Sequence, residues 1–279
     1  MTRAWLLAAL TGLTLTSTVT AQGTAWRFRW QQGQVLQYRV EEVITASEVV
    51  EGDKAQTTSK LNELKRWQVV DIDAAGVATL QLSLGNLRLE RTTPGGEALV
   101  YDSASPDKSN PQMREQLSQF VGPVLAVLRV DAQGKVMEVK QSKFGPASRF
   151  DSEPPFDVTL PAAAAAPGQG WTRNYLITLA PPDGTGEKFA AVQKYICANA
   201  DGPAVTIVLA TTLPNPPAAV ADQMPLLQLQ PEGKIVFDTQ AGRLQRAELR
   251  VEKELKGHQG EGSSYRLQRT YTEEYVPNP

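Results

Sequence analysis

Apolar and polar residues alternate with a period of two along several stretches of this chain, which is typical of β-strands with one buried face. From Leu80 to Leu84 every second residue is leucine, and beyond Gly85 the leucines change parity, at Leu87 and Leu89. A shift of one residue at a glycine predicts a β-bulge within a continuing strand. The alternation predicts a mainly β, antiparallel fold, because antiparallel sheets commonly keep one face in water.

Short turns that begin with aspartate and end with glycine follow some of these stretches, at 73–76, 131–134 and 238–242. An aspartate side chain accepts hydrogen bonds from the turn backbone and glycine adopts positive φ readily, so each turn predicts a tight hairpin connection. Two further alternating stretches, 247–252 and 265–271, flank a polar loop and predict a long C-terminal hairpin with one face in water.

One segment, near 111–121, has the pattern of a helix. Asn110 is a favourable N-cap, Pro111 needs no hydrogen bond at the first helical position, and Gly122 with Pro123 ends the helix. The apolar residues form one stripe: Met113, Leu117 and Phe120. We expect the helix to cover a concave sheet face. The stripe is a candidate lining for an apolar ligand, although such a stripe more often packs on a sheet.

Three aromatic residues, Trp26, Phe28 and Trp30, alternate with Arg27 and Arg29. A strand here would place the aromatic rings on one face and the cations on the other. Such a face either stacks against a sugar or an apolar ligand, or seals the core, and core burial is the more common role of large aromatic residues. The three aromatic residues are a second candidate lining for an apolar ligand.

A set of landmarks occurs twice in the same order: a glycine five residues before a tyrosine, an Asn-Pro pair, and an Asp-to-Gly turn. The landmarks are Gly33 to Tyr38, Asn110-Pro111 and Asp131 to Gly134, then Gly170 to Tyr175, Asn215-Pro216 and Asp238 to Gly242. This recurrence predicts two similar β-rich halves, 22–158 and 159–279. A segment rich in proline and alanine, 153–170, predicts a connector between them, and the pattern leaves open whether the halves share one sheet.

The first residues predict a secretory signal peptide, 1–21. Arg3 precedes a short apolar run, 4–15, and small residues lead to a cleavage site between Ala21 and Gln22. The run is too short to span a bilayer, and no later segment is continuously apolar over the ~20 residues that a membrane helix needs. We therefore expect an exported protein, periplasmic or extracellular, without a membrane span.

The composition argues against several functional classes. Loss of residues 1–21 removes one arginine and no acid, so the formal net charge of −2 becomes −3, which offers no basic surface for nucleic acid. The chain has one histidine, His258 in a loop that we expect at the surface, and one cysteine, Cys197 in a strand-like run. It therefore predicts no histidine or cysteine catalysis, no zinc site, no cofactor and no intramolecular disulfide.

Paired acidic residues are the remaining route to catalysis. Asp71 with Asp73, and Glu273 with Glu274, are of the residue types that glycoside hydrolases use. The first pair flanks a predicted turn, where solvated acids are ordinary, and we assign no catalytic residue in this chain.

The Gly-to-Tyr strand, the helix and the Asp-to-Gly hairpin together resemble an exported bacterial family of unknown function, over most of residues 26–275. The architecture is also similar to the open half-barrels of the periplasmic lipoprotein carriers, in which a curved antiparallel sheet closed by helices holds acyl chains. This second resemblance lies at the level of the fold and transfers no residue. It implies a lipid or another apolar ligand.

We therefore expect a curved antiparallel sheet or half-barrel with one or two short covering helices. Our leading interpretation is an exported, non-catalytic binding or carrier domain for an apolar or lipid-like ligand. The alternative is a structural or protein-interaction module of the cell envelope, with a filled core and an exposed strand edge. A cavity of lipid size distinguishes the first interpretation from the second.

The predicted signal peptide has a direct test. When the full chain is expressed in a bacterial host, we expect the exported protein to begin at Gln22, and intact-mass measurement with N-terminal sequencing checks this. An exported chain that retains residues 1–21 would contradict the cleavage site.

Overall fold

The computed structural model describes residues 25–143 and 145–277, so the predicted signal peptide lies outside the described residues. The strands of the first half are β1 (Val35–Val50), β2 (Asp53–Ile72), β3 (Ala78–Thr92), β4 (Leu99–Asp102), β5 (Val124–Val130) and β6 (Val136–Ser142). Those of the second half are β7 (Gly170–Thr178), β8 (Lys188–Asn199), β9 (Ala204–Thr212), β10 (Glu232–Asp238), β11 (Arg243–Lys256) and β12 (Ser264–Val276). The α-helices are α1 (Pro111–Leu117), α2 (Arg149–Ser152) and α3 (Met224–Leu227).

All twelve strands belong to one antiparallel sheet, with the order β6-β5-β3-β2-β1-β12-β11-β10-β9-β8-β7, and β4 pairs with β3. Successive strands are neighbours, and the first and last strands pair at the centre of the sheet. The edges are β6 and β7, so the sheet is open. The prediction of a mainly β, antiparallel fold with a few short helices is confirmed, and both predicted halves contribute to the same sheet.

Local features of the sheet follow the sequence pattern. The register between β2 and β3 shifts where Lys65 lies opposite Leu84 and Leu64 lies opposite Asn86, which places the predicted bulge at Gly85. In the β2–β3 turn, Asp73 Oδ1 accepts hydrogen bonds from two backbone N–H groups, at 2.9 and 3.0 Å. The turns at Asp131 and Asp238 are built in the same way.

The helices are short and pack on the sheet. Asn110 caps α1 through hydrogen bonds from the N–H groups of Gln112 and Met113, and a 3₁₀ turn, Ser118–Phe120, follows the helix. Leu226 of α3 packs against buried residues of β7 and β8, and Leu227 packs against buried residues of β11 and β12 at the centre of the sheet. No helix in the described ranges is both long and apolar enough to cross a membrane.

The segment 153–169, which we call the connector, runs from α2 to β7 and is part of the core. Phe156, Val158 and Leu160 are at most 1% exposed. They belong to one cluster with side chains from strands of the first half and of the second half, which we call the two wings of the sheet. The sheet therefore curves so that its two wings enclose the connector. The first part of the segment, 154–160, is therefore a mostly buried structural element, because its apolar side chains fill the space between the wings, whereas most of 162–169 is exposed.

The aromatic segment 25–30 enters the same core without forming a strand. Phe28 donates a backbone hydrogen bond to Ala132, and its ring lies 5.0 Å from that of Phe156. Gly134, in the β5–β6 turn, has φ +84°, and a Cβ there would lie 2.6 Å from the Phe28 ring. The glycine is therefore required both by the turn and by the close packing of the N-terminal segment.

Phe156 is expected to be a main contributor to stability, since its ring contacts those of Phe28, Trp30, Tyr38 and Trp67. Phe156→Ala should lower the free energy of unfolding by about 3–5 kcal/mol, through lost burial and the cavity left behind. Urea unfolding measures this, with Phe189→Ala at a half-buried site as the control. Equal losses in the two variants would contradict a structural role for the connector.

Candidate functional site

Charged and polar side chains cross the concave face at the centre of the sheet. They are Glu42 of β1, Glu63 and Lys65 of β2, and Arg269, Tyr271 and Glu273 of β12, and we call this set the belt. Buried Val40 lies opposite both Glu63 and Glu273, and Glu42 lies opposite Tyr271. Directly opposite residues of antiparallel strands share a face, so the belt lies on the same face as the apolar core.

The belt forms one wall of a cavity of about 370 Å³. Further lining comes from the end of α2 and the connector, 152–157, and from the segment after α3, 228–231. Leu209 and Leu249 contribute apolar side chains from β9 and β11. The cavity thus combines charged groups with apolar walls, and it lies where elements from both halves of the chain meet.

A three-residue network occupies the centre of the belt. Lys65 Nζ donates hydrogen bonds to Tyr271 Oη at 2.8 Å and to Glu273 Oε2 at 3.1 Å. The Tyr271 hydroxyl donates to the same carboxylate oxygen. Burial lowers the pKa of Lys65, but Glu273 and Glu63 outweigh this effect and raise it. The network therefore keeps Lys65 charged in a water-poor setting.

The other two cations of the cavity are also engaged. Arg269 Nε donates to Glu42 Oε1 at 2.6 Å, and Arg149 Nη2 donates to Glu153 Oε2 at 2.8 Å. Arg269 also donates to the Gln228 carbonyl at 3.4 Å. Each cation of the cavity thus has a carboxylate partner.

Two carboxyl groups remain without a direct cation partner among the described residues, Asp157 and Glu63. Burial raises the pKa of Asp157 to about 7, the charge of Glu273 adds to this shift, and Lys65 opposes it. Burial also raises the pKa of Glu63. Asp157 has φ +55°, an uncommon conformation for a residue other than glycine, which aspartate tolerates better than most.

Two carboxyl oxygens of the cavity lack any hydrogen-bond partner among the described residues. Glu273, 0% exposed, has no partner for Oε1, and Asp157 has none for Oδ2. A buried polar atom without a partner costs roughly 1–3 kcal/mol, and more when the group is charged. A ligand that donates hydrogen bonds here would remove this cost.

An apolar surface continues from the belt along the central strands. Its members, which we call the apolar strip, are the partly buried side chains of Ile44, Ala46, Leu255 and Tyr265. They pack against buried Leu227, Val251 and Leu267. Ile44 lies opposite Arg269 in the register, so the strip begins directly beside the belt.

The structure places the predicted ligand-lining residues in two separate groups. Trp26 and Phe28 are buried in the main core, and Trp30 stacks on Phe28 with ring centroids 5.0 Å apart. Met113 and Leu117 line a smaller cavity of about 190 Å³ beneath α1, and Phe120 packs in the same helix cluster. Neither group lines the belt cavity.

Sequence reasoning missed most of the belt. The sequence pairs Glu273 with Glu274 as neighbouring acids, but adjacent strand residues point to opposite faces. Glu274 Oε1 lies 3.8 Å from Arg246 Nη1, away from the belt. The sequence feature that indicates the belt is the alternation of residues along β2. Glu63 and Lys65 have the parity of buried Trp67, which predicts charges on an inward face.

The single cysteine and the single histidine of the chain lie outside the belt. Cys197 is buried in the main core, where burial raises the pKa of its thiol. The expectation of an exposed His258 is wrong: the residue is 7% exposed because Nε2 pairs with Glu48 Oε1 at 2.7 Å, which holds the β11–β12 loop against β1. Within the described residues, no three histidine, cysteine or acidic side chains converge to hold a metal ion.

No family model matches the chain, and no curated protein matches its sequence. Among solved structures, the fold is similar to part of lipovitellin, in a structure reported as "Lipid-protein interactions in lipovitellin". The TM-score is 0.51 at 12% identity, over 89% of this chain and 26% of that chain, so this chain spans about a quarter of its length. This likeness concerns the fold alone.

Two other solved structures match with much lower scores. The complex of MucA and MucB from Pseudomonas aeruginosa gives a TM-score of 0.15 at 9% identity, over 85% of this chain and 89% of that chain. A DUF1329 family protein from Desulfovibrio piger gives 0.15 at 11% identity, over 85% and 84%. Neither score supports a conclusion about this fold.

The raised pKa of Asp157 predicts how stability depends on pH. The folded protein keeps this proton up to about pH 7, whereas the unfolded chain releases it at ~4, so this contribution to stability is lost progressively as pH rises from ~4 through 7. The difference in the free energy of unfolding between Asp157→Asn and the unmodified protein should therefore shift in favour of the variant by at least ~1 kcal/mol from pH 5 to pH 8.

Urea unfolding at the two pH values measures the change, with Asp151→Asn at an exposed site as the control. Only the pH-dependent part of the difference counts, because asparagine also tolerates the positive φ at this position. A constant difference between the Asp157 variant and the unmodified protein would contradict the raised pKa.

Proposed function

We propose that this protein is an exported, non-catalytic binding or carrier domain for a small lipid-like molecule, which lies in the belt cavity. The polar group of the ligand contacts the belt, and its apolar part lies on the apolar strip. The observation that carries the proposal is this combination: a cavity of about 370 Å³ with unpartnered buried oxygens, directly beside partly exposed apolar side chains.

The chemistry of the residues that line the cavity favours an amphiphilic ligand. When a hydrocarbon covers the apolar side chains of the strip, the free energy falls by about 25 cal/mol for each Å² of apolar surface that is buried. The cost of leaving the oxygens of Glu273 and Asp157 without partners is removed when a hydrogen-bond donor reaches them. A purely apolar ligand would leave those oxygens without a partner, and a purely polar one would leave the strip in water.

The size of the cavity restricts the ligand. Ligand pockets commonly measure ~300–1,000 Å³, so this cavity is near the lower end. The space that an open half-barrel would offer to several acyl chains is filled by Phe156 and its neighbours. The proposal is therefore one small single-chain amphiphile per protein, and the fold likeness to part of lipovitellin supports a lipid-like ligand only at the level of architecture.

A second candidate is a protein-interaction module of the cell envelope. The two edge strands, β6 and β7, each have an unpaired side and carry the exposed apolar residues Met137 and Leu176. Open edges of this kind can add a strand from another chain. The binding experiment below separates the two candidates, because a module of this kind needs no ligand in the cavity.

The test uses decanol, a neutral single-chain amphiphile, in calorimetric titration of the mature protein, after organic extraction and mass spectrometry of any co-purified lipid. We expect one binding site. Ser152→Trp places a bulky ring at a residue that lines the cavity and should weaken decanol binding at least tenfold, or about 1.4 kcal/mol.

Ser105→Trp, at an exposed position away from the lining residues, is the matched control and should bind as the unmodified protein does. Decanol, decylamine and decanoate together cover the neutral, cationic and anionic amphiphiles. Failure of all three to bind, with no lipid in the extract, would overturn the proposal and leave the interaction module as the better interpretation.

A further inference from the structure

The charges that line the belt cavity are unequal in number. Five acidic residues line it, against three basic ones. The acids are Glu42, Glu63, Glu153, Asp157 and Glu273, and the bases are Lys65, Arg149 and Arg269. Each base has a carboxylate partner at 2.6 to 3.1 Å, so two carboxyl groups are in excess.

The excess is accompanied by unsatisfied buried oxygens. Glu273 is 0% exposed, and its Oε1 has no hydrogen-bond partner among the described residues although Oε2 has two. Asp157 Oδ2 also has no hydrogen-bond partner among the described residues. Both residues line the cavity, Glu273 from β12 and Asp157 from the connector, so the two residues that carry an unpartnered oxygen belong to its wall on two sides.

We infer that the ligand's polar group is a cation, and that Asp157, Glu63 and Glu273 recognise an amphiphilic amine. This inference rests on the proposed function and specifies its ligand class. An ammonium group offers up to three donors and one positive charge, which match the two open acceptors and the surplus negative charge. A hydroxyl group supplies one donor and no charge.

An anionic head group fits poorly. The donors that would bind a carboxylate or a phosphate belong to Lys65, Arg149 and Arg269, and each is already engaged by a carboxylate of the protein. An anion would have to break one of these pairs, and at Lys65 or Arg269 this would leave a largely buried carboxylate without a partner, which is costly. It would also lie beside the surplus acids. The site therefore discriminates by charge as well as by shape.

Proton linkage gives the site a pH dependence. Other ionisable groups surround Asp157: Lys65 and Glu63 on β2, Glu42 on β1, Arg269, Tyr271 and Glu273 on β12, Arg149 and Glu153 at α2, and Tyr195 on β8. The pKa of Asp157 is raised to about 7, so the empty site holds a proton that a bound cation displaces. Cation binding therefore tightens as pH rises through 7.

The experiment compares decylamine, decanol and decanoate by calorimetric titration at pH 8, and repeats decylamine and decanol at pH 6. The amine stays protonated at both values, since such amines have a pKa of ~10. We expect decylamine to bind at least tenfold more tightly than decanol, and decanoate to bind most weakly. Decylamine should lose about tenfold on going to pH 6, and decanol should change little.

Two separate variants keep the test independent of any one substitution. Asp157→Asn and Glu63→Gln should each weaken decylamine binding about tenfold. Each should weaken decanol binding less than decylamine binding, because the hydroxyl group carries no charge. Glu41→Gln, at an exposed position on the other face of β1, is the matched control and should change neither.

The outcomes separate the two proposals. Equal binding of the three amphiphiles, a preference for decanoate, or displacement of decylamine by calcium chloride at constant ionic strength would overturn the assignment of an amphiphilic amine and leave the proposed function standing. Binding of none of them would overturn the proposed function as well.

Discussion

The pairing of β1 with β12 is the interaction on which the rest of this structure depends. It joins residues 37–49 to residues 264–276, so the two ends of the chain meet at the centre of the sheet. Because every other strand pairs with a close neighbour in sequence, this contact alone unites two meanders into one sheet. Long-range pairing of this kind requires closure of a very large loop, which only the burial of a shared core can offset.

The shared core explains why the connector is buried. Two wings that curve toward each other leave a space between them, and empty apolar space of this kind is costly. Phe156 fills it from the connector and Phe28 fills it from the N-terminal segment, with ring centroids 5.0 Å apart. The sheet is therefore not a hollow container, and one of the cavities that remain lies beside the belt.

The belt is the part of the structure that stability alone does not explain. Buried ion pairs commonly contribute no more to stability than well-packed apolar side chains of the same size. Here two largely buried ion pairs, the exposed pair of Arg149 with Glu153, and two additional carboxyl groups line a cavity on the inner face of a sheet. Groups with raised pKa values and unpartnered oxygens are typical of binding sites, where a ligand completes the interactions that the fold leaves open.

The sequence by itself determined the local elements of this protein. Alternation identified strands, aspartate and glycine identified the hairpin turns, a change of parity identified the bulge at Gly85, and Asn110 identified the start of α1. These features depend on residues close together in the chain, because backbone conformation and side-chain direction repeat over a few residues.

The tertiary structure alone decided how those elements combine. Alternation shows which face of a strand is apolar but not which strand lies beside it, so the pairing of β1 with β12 was not predictable. Lys65 and Glu273 are 208 residues apart in the chain and form one ion pair only because that pairing brings their strands together. The candidate site is a product of long-range register, and the inward parity of Glu63 and Lys65 was its only local trace.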